Sequence, residues 1–135
     1  KDKFESAKKT IVSGIRASLD NPIGIINNYY ATMVHELSHT WDFHYATYFK
    51  KSITEQSDVI NLFNKYLNSN NRPFREYSYS NIREFFADMV RYYYFKYADP
   101  IPEYKSLLYP DDIKFVLEKY ICIANNNYVK DSCSY

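Results

Sequence analysis

His35-Glu36-Leu37-Ser38-His39 brings together the residue types of metal chemistry at a spacing that can use them. Residues four apart on an α-helix lie about 40° apart around its axis, one turn on, so both imidazoles point the same way. Two neutral ring nitrogens can then hold one Zn²⁺ ion, with Glu36 beside it to take a proton from water. The chain has three histidines, and two of them fall in this pattern. The third, His44, would point about 140° away from His39 on the same helix and reads as a surface or supporting residue. Asp42 and Tyr45 stand where a three-histidine motif has its helix-breaking glycine and last histidine. The plainer reading of the pentapeptide is two histidines on the exposed face of a core helix.

A hydrolytic zinc site also needs a third protein ligand and a position left open to water. The segment from Asn81 to Tyr94 offers one. Ile82, Phe85, Phe86, Met89, Val90, Tyr93 and Tyr94 predict one apolar helical surface, which Ser80 or Asn81 can cap. Glu84, Asp88 and Arg91 fall along another face at i, i+4 and i+7. Alone, that line is an ordinary solvated stripe with an acid–base pair. Beside the histidine helix it acquires a purpose. Glu84 becomes the third ligand, and Asp88 accepts the second N–H of a ligating imidazole and fixes its tautomer. Arg91 is then the cation that holds Asp88, away from substrate.

These motifs together resemble the gluzincin peptidases, and within them the group of the anthrax lethal factor catalytic domain and the Pro-Pro endopeptidases. The resemblance rests on the histidine pentapeptide, on Glu84-Phe85-Phe86-Ala87-Asp88, on the interval between them, and on Tyr77 seven residues before that glutamate. It covers residues 27 to 123 and is strongest at the motifs. It implies one Zn²⁺ per chain on His35, His39 and Glu84, with Glu36 as general base and Asp88 as supporting acid. Tyr77 would be the phenol that hydrogen-bonds the oxyanion. Tyrosine makes up 16 of 135 residues, so a tyrosine in any one place is cheap, and Tyr79 in the same loop is the alternative. Only the family spacing favours Tyr77. The implied activity is that of a secreted, toxin-like zinc endopeptidase acting on protein or peptide substrates, though the family's toxin delivery domains have no counterpart in these residues.

Two other functions compete. One is a catalytically inert, lethal-factor-like binding module of a larger toxin or secreted protein; the other is a metal-dependent hydrolase of non-peptide substrates. Glu36 and Tyr77 favour the enzyme, because a structural zinc site needs neither base nor phenol and closes its fourth position with protein.

The rest of the chain must position these groups. Its 135 residues predict a single zincin-like catalytic domain over 1–135, large enough for one core. Hydrophobic residues at 46% and a net charge of +1 exclude a disordered class and leave no basic footprint for nucleic acid. No apolar run approaches the ~20 residues of a membrane span. A monomer is expected. With Lys1 first and no leader, the sequence reads as a mature or trimmed form, or as a fragment of a longer protein.

Helical spacing predicts helices from Phe4 to Ala17, from about Asn27 through the histidine motif, after Ser52, around Glu84, and from Pro110 onward. Tyr29, Tyr30, Met33, Val34, Leu37, Trp41, Tyr45 and Tyr48 form a broad apolar stripe on the motif helix. Ser52-Ile53-Thr54-Glu55 is a capping box, and Asp20-Asn21-Pro22, Asn68–Pro73 and Ala98–Pro102 read as breaks. A substrate strand would need a sheet edge, for which only Thr10–Ile15 or Ile23–Ile26 is available. Two glycines argue against tight hairpins, so the fold class is mostly α (an α+β zincin with little or no sheet), the histidine helix packed on the Glu84 helix. Cys122 and Cys133 are either a disulfide pinning the C-terminal tail or two free thiols.

Overall fold

Pro22 opens the long helix that carries the histidine motif, α1 (Pro22–Phe49), in the computed structural model, which describes residues 22–95, 109–129 and 131–133 together with Lys3, Glu5 and Ser6. Sequence spacing puts this start near Asn27. The helix begins earlier because proline's fixed φ and missing N–H suit a first helical position, where that donor has no partner anyway. Asp20-Asn21-Pro22 is therefore a helix start at its last residue, and Ile23–Ile26, a candidate strand, is helical. The expected strand Thr10–Ile15 and the break Ala98–Pro102 lie outside the described residues. So does the expected helix Phe4–Ala17, apart from Glu5 and Ser6, which are helical.

After α1 come a 3-10 turn (Ile53–Glu55), α2 (Ser57–Leu67), a second 3-10 turn (Glu76–Tyr79), α3 (Ile82–Tyr94) and α4 (Asp111–Asn125). There is no strand among the described residues, and the chain is mostly α. At the first turn, the Ser52 backbone N–H and hydroxyl both donate to Glu55 Oε1, at 3.1 and 2.9 Å. This polar knot sits on the 3-10 turn, and α2 starts only at Ser57. Asn81 caps α3 by accepting the Glu84 N–H at 3.0 Å, which fixes the first turn of the helix that presents Glu84.

The core forms around α3. Phe85, Phe86, Met89 and Tyr92 are fully buried there, against Ile53, Val59, Phe74, Ile113 and Leu117 from the surrounding elements. Two matched clamps lock α2 to α4. Near the start of α2, Asp58 receives Lys119 Nζ and the Tyr120 hydroxyl of α4, at 2.8 and 2.7 Å. Near the start of α4, Asp112 receives Lys65 Nζ and the Tyr66 hydroxyl of α2, at 2.5 and 2.8 Å. The two helices therefore run antiparallel, each giving a carboxylate to a Lys-Tyr pair on the other.

The buried face of α1 differs from the expected one. Tyr29, Tyr30, Met33, Leu37 and Tyr48 of the aromatic stripe are exposed, while Thr32, His35, Ser38, His39 and Asp42 are buried. A polar face can be buried when each group finds a partner. His35 bonds Asp88, Ser38 Oγ donates to Val34 O at 2.6 Å, and Asp42 accepts the N–H and hydroxyl of Thr54, both at 2.8 Å. On α3 the line of Glu84, Asp88 and Arg91 faces inward and is no solvated stripe. Asp88 and Arg91 are buried, Tyr94 points outward, and Tyr92 takes its place in the core.

Candidate metal centre

The buried faces of α1 and α3 meet at three side chains. Glu84 Oε1 lies 3.2 Å from His35 Nε2 and 2.6 Å from His39 Nε2, and one ligand atom from each of the three residues falls within 4.8 Å of the others. This is the one such group among the described residues, and it could hold a metal ion. Two imidazoles and a carboxylate converging from two helices are also the donor set of hydrolytic zinc sites, which leave a fourth position to water.

The far side of His35 explains its orientation. His35 Nδ1–H donates to Asp88 Oδ1 at 2.6 Å. Asp88 is fully buried and accepts three more bonds: Arg75 Nε at 2.9 Å, Arg75 Nη2 at 3.1 Å and Ser78 Oγ at 2.5 Å. Burial pushes the Asp88 carboxyl up, but the bonds from His35 and Arg75 outweigh it and hold the group at about 2. Asp88 is thus ionised and accepts the hydrogen bond of the Nδ1–H, which keeps the proton on Nδ1 and leaves Nε2 with a lone pair towards Glu84. Two acceptors facing each other repel, so a positive species belongs between them, either a second proton or a metal ion. The same geometry acts on the imidazole: burial lowers its pKa, and the Asp88 and Glu84 carboxylates more than reverse this, raising it above 6.5. Glu84 is pushed up by burial and held well below the carboxylate range by His35, His39 and Tyr77. His39 has less support, since its buried Nδ1 has no hydrogen-bond partner among the described residues.

Glu36 and Tyr77 flank the cluster. Glu36 Oε1 is 3.9 Å from His35 Nε2. The Tyr77 hydroxyl donates to Glu84 Oε2, and its pKa is raised by burial and by that carboxylate. Both residues line two adjoining cavities. One, of about 180 Å³, is walled by Asn81 and Arg83 beside His39 and Glu84; the other, of about 270 Å³, by Thr32, Arg75 and Arg91 beside His35. A third cavity of about 280 Å³, between Val34, Trp41, Val90 and Ile121, has a mostly apolar lining and no histidine or carboxylate, so size alone does not find the site.

Tyr79 is not at the cluster. It is buried, and its hydroxyl accepts the Phe74 N–H at 3.2 Å, whereas Tyr77 is half exposed beside Glu84. His44 is exposed and packs its ring against Tyr48 and Tyr128. Arg91 needs a correction: the guanidinium on Asp88 belongs to Arg75, and Arg91 Nη1 instead reaches Thr32 Oγ1 of α1 at 3.5 Å. Arg75 prevails because it enters from the loop before α3 and meets the carboxylate with two nitrogens, a geometry that suits the guanidinium fork. Ser78 also escaped sequence reading. Arg75 and Ser78 are three apart, and residues at that spacing eclipse on a 3-10 turn, which is the signal that unites them. Cys122 and Cys133 form a disulfide.

Among the described residues no helix is long and apolar enough to cross a membrane. The chain matches no protein-family model, no curated protein and no solved structure.

Proposed function

We propose that this chain is a zinc-dependent endopeptidase of the gluzincin type. The observation that carries the reading is the convergence of His35 Nε2, His39 Nε2 and Glu84 Oε1, with a free carboxylate and a phenol on its flanks. When bound, Zn²⁺ supplies Lewis acidity to the scissile carbonyl and makes water a better proton donor. Glu36 takes that proton and passes it to the leaving amine. Tyr77 donates to the oxyanion that develops on the substrate carbonyl. Asp88 keeps His35 in the tautomer that presents Nε2, and Arg75 and Ser78 keep Asp88 in place. Two cavities meeting at Glu36 and Tyr77 give a peptide room on both sides of the scissile bond, which supports internal cleavage. The Cys122–Cys133 bond supports an oxidising, extracellular setting.

Glu36→Gln tests the chemistry apart from the metal. Zinc content and melting temperature should stay near those of the wild type, while cleavage of a peptide library falls by about 10²- to 10⁴-fold. Cleavage that persists in this variant refutes the role of Glu36, and a wild type that binds zinc yet cleaves nothing refutes the peptidase.

A further inference from the structure

The two oxygens of Glu84 have different partners. Oε1 faces the imidazoles, 2.6 Å from His39 Nε2 and 3.2 Å from His35 Nε2, whereas Oε2 accepts the Tyr77 hydroxyl. A phenol has one hydrogen to donate, and that hydrogen cannot serve Glu84 and an oxyanion at the same time. We propose that Tyr77 has two successive partners: it pins Glu84 so that this ligand offers the metal one oxygen only, then exchanges Glu84 for the substrate oxyanion as charge develops there. The exchange rests on the peptidase reading above, while the pin concerns metal binding alone.

The surroundings permit a side-chain movement on a fixed backbone. Tyr77 is 49% exposed and sits where the two cavities meet, so its ring has open space on either side. Its backbone belongs to the 3-10 turn Glu76–Tyr79, which is held from both sides of Tyr77 by the bonds of Arg75 and Ser78 to Asp88. Charge decides the direction. A carboxylate bound to a metal has given much of its negative charge away, and its outer oxygen is a weaker acceptor than a forming oxyanion. The phenol therefore gains by leaving Glu84 only as the reaction proceeds, so the contact favours the transition state over the bound substrate.

Metal binding without substrate tests the pin. Affinities for Zn²⁺ and Co²⁺ would be measured by chelator competition in the wild type, Tyr77→Phe and Tyr79→Phe. Tyr77→Phe should bind both ions about 10- to 100-fold more weakly. Its Co²⁺ complex should also absorb visible light more weakly, because Glu84, once released, turns its second oxygen to the ion and raises the coordination number. Tyr79→Phe, away from the site, should match the wild type in both measurements. At saturating metal, kcat of Tyr77→Phe should remain about 10²- to 10³-fold low with KM little changed. Wild-type affinity and spectrum in Tyr77→Phe overturn the pin, and a normal kcat at saturating metal overturns the exchange. A wild type that binds neither ion overturns the proposal together with the peptidase reading, an outcome distinct from the other two.

Discussion

His35, Glu36, His39 and Glu84 could be picked from sequence because metal ligation demands few residue types and a helix fixes their spacing. Arg75 and Ser78, the other partners of Asp88, could not, because they come from a loop whose conformation no periodicity announces. Arg91 looked the natural partner at one turn's distance, yet Arg75 provides the two-nitrogen contact. The consequence is a pH signature. Asp88 is held at about 2 against an ordinary 3.8, so its contribution to stability is complete above about pH 4 and is lost as pH falls through 2. Arg75→Met removes a cation from a buried carboxylate and should cost about 3 kcal/mol at neutral pH. It also raises the Asp88 pKa, so the difference in stability between variant and wild type should shrink as pH falls from 4 towards 2. Urea unfolding of the metal-free proteins at several pH values reads this directly. A difference that stays constant with pH would mean that Arg75 acts through packing and not through Asp88.

At the scale of elements, the helices were legible and their faces were not. Periodicity marks an apolar side, but the side a helix buries is settled by what meets it. On α1 the histidine face meets α3, so most of the aromatic stripe is left outside, while Val34, Trp41 and Tyr45 still reach the core. The clamps between α2 and α4 were also hidden, since Asp58 and Asp112 look like ordinary acidic first-turn residues until the helices lie side by side. The end of α1 carries a cost of a different kind. Lys50 adopts φ 70°, and its N–H donates to Ala46 O at 2.8 Å, a left-handed cap made by a residue with a Cβ. The chain has only two glycines, and this is a place where a third would relieve strain. Lys50 is exposed, so little else changes on substitution. Lys50→Gly should raise stability by about 0.5–1 kcal/mol, after the entropy glycine adds to the unfolded chain. Lys50→Val should lower it, because a β-branched side chain is least tolerant of positive φ. Equal melting temperatures for the two variants would show that the cap does not limit stability.

The whole molecule has a disulfide and a candidate metal centre, and they sit on different parts of it. The disulfide joins two positions eleven apart in sequence, from α4 into the tail. The candidate metal centre lies between α1 and α3, across the 45 positions from His39 to Glu84. Scarce glycine pointed to a mostly-α chain, and the described residues are mostly helical. Composition did not foretell that the longest described helix would dock through its polar face, which brings His35 and His39 to Glu84 of α3, so that an ion held there would tie the two helices together. An ion that binds only the folded state stabilises it by about 4 kcal/mol when present at a thousand times its Kd. For a chain of this size that corresponds to roughly 15 °C in Tm. Added Zn²⁺ should therefore raise the Tm of the wild type by about that amount, and a chelator should reverse the gain. Glu84→Gln, with one ligand weakened, should respond little to either. Reduction of the disulfide should lower the Tm of both proteins alike, because distant ties add independently. If zinc raises the Tm of Glu84→Gln as much as that of the wild type, the ion binds elsewhere, and the junction of α1 and α3 is not a metal site.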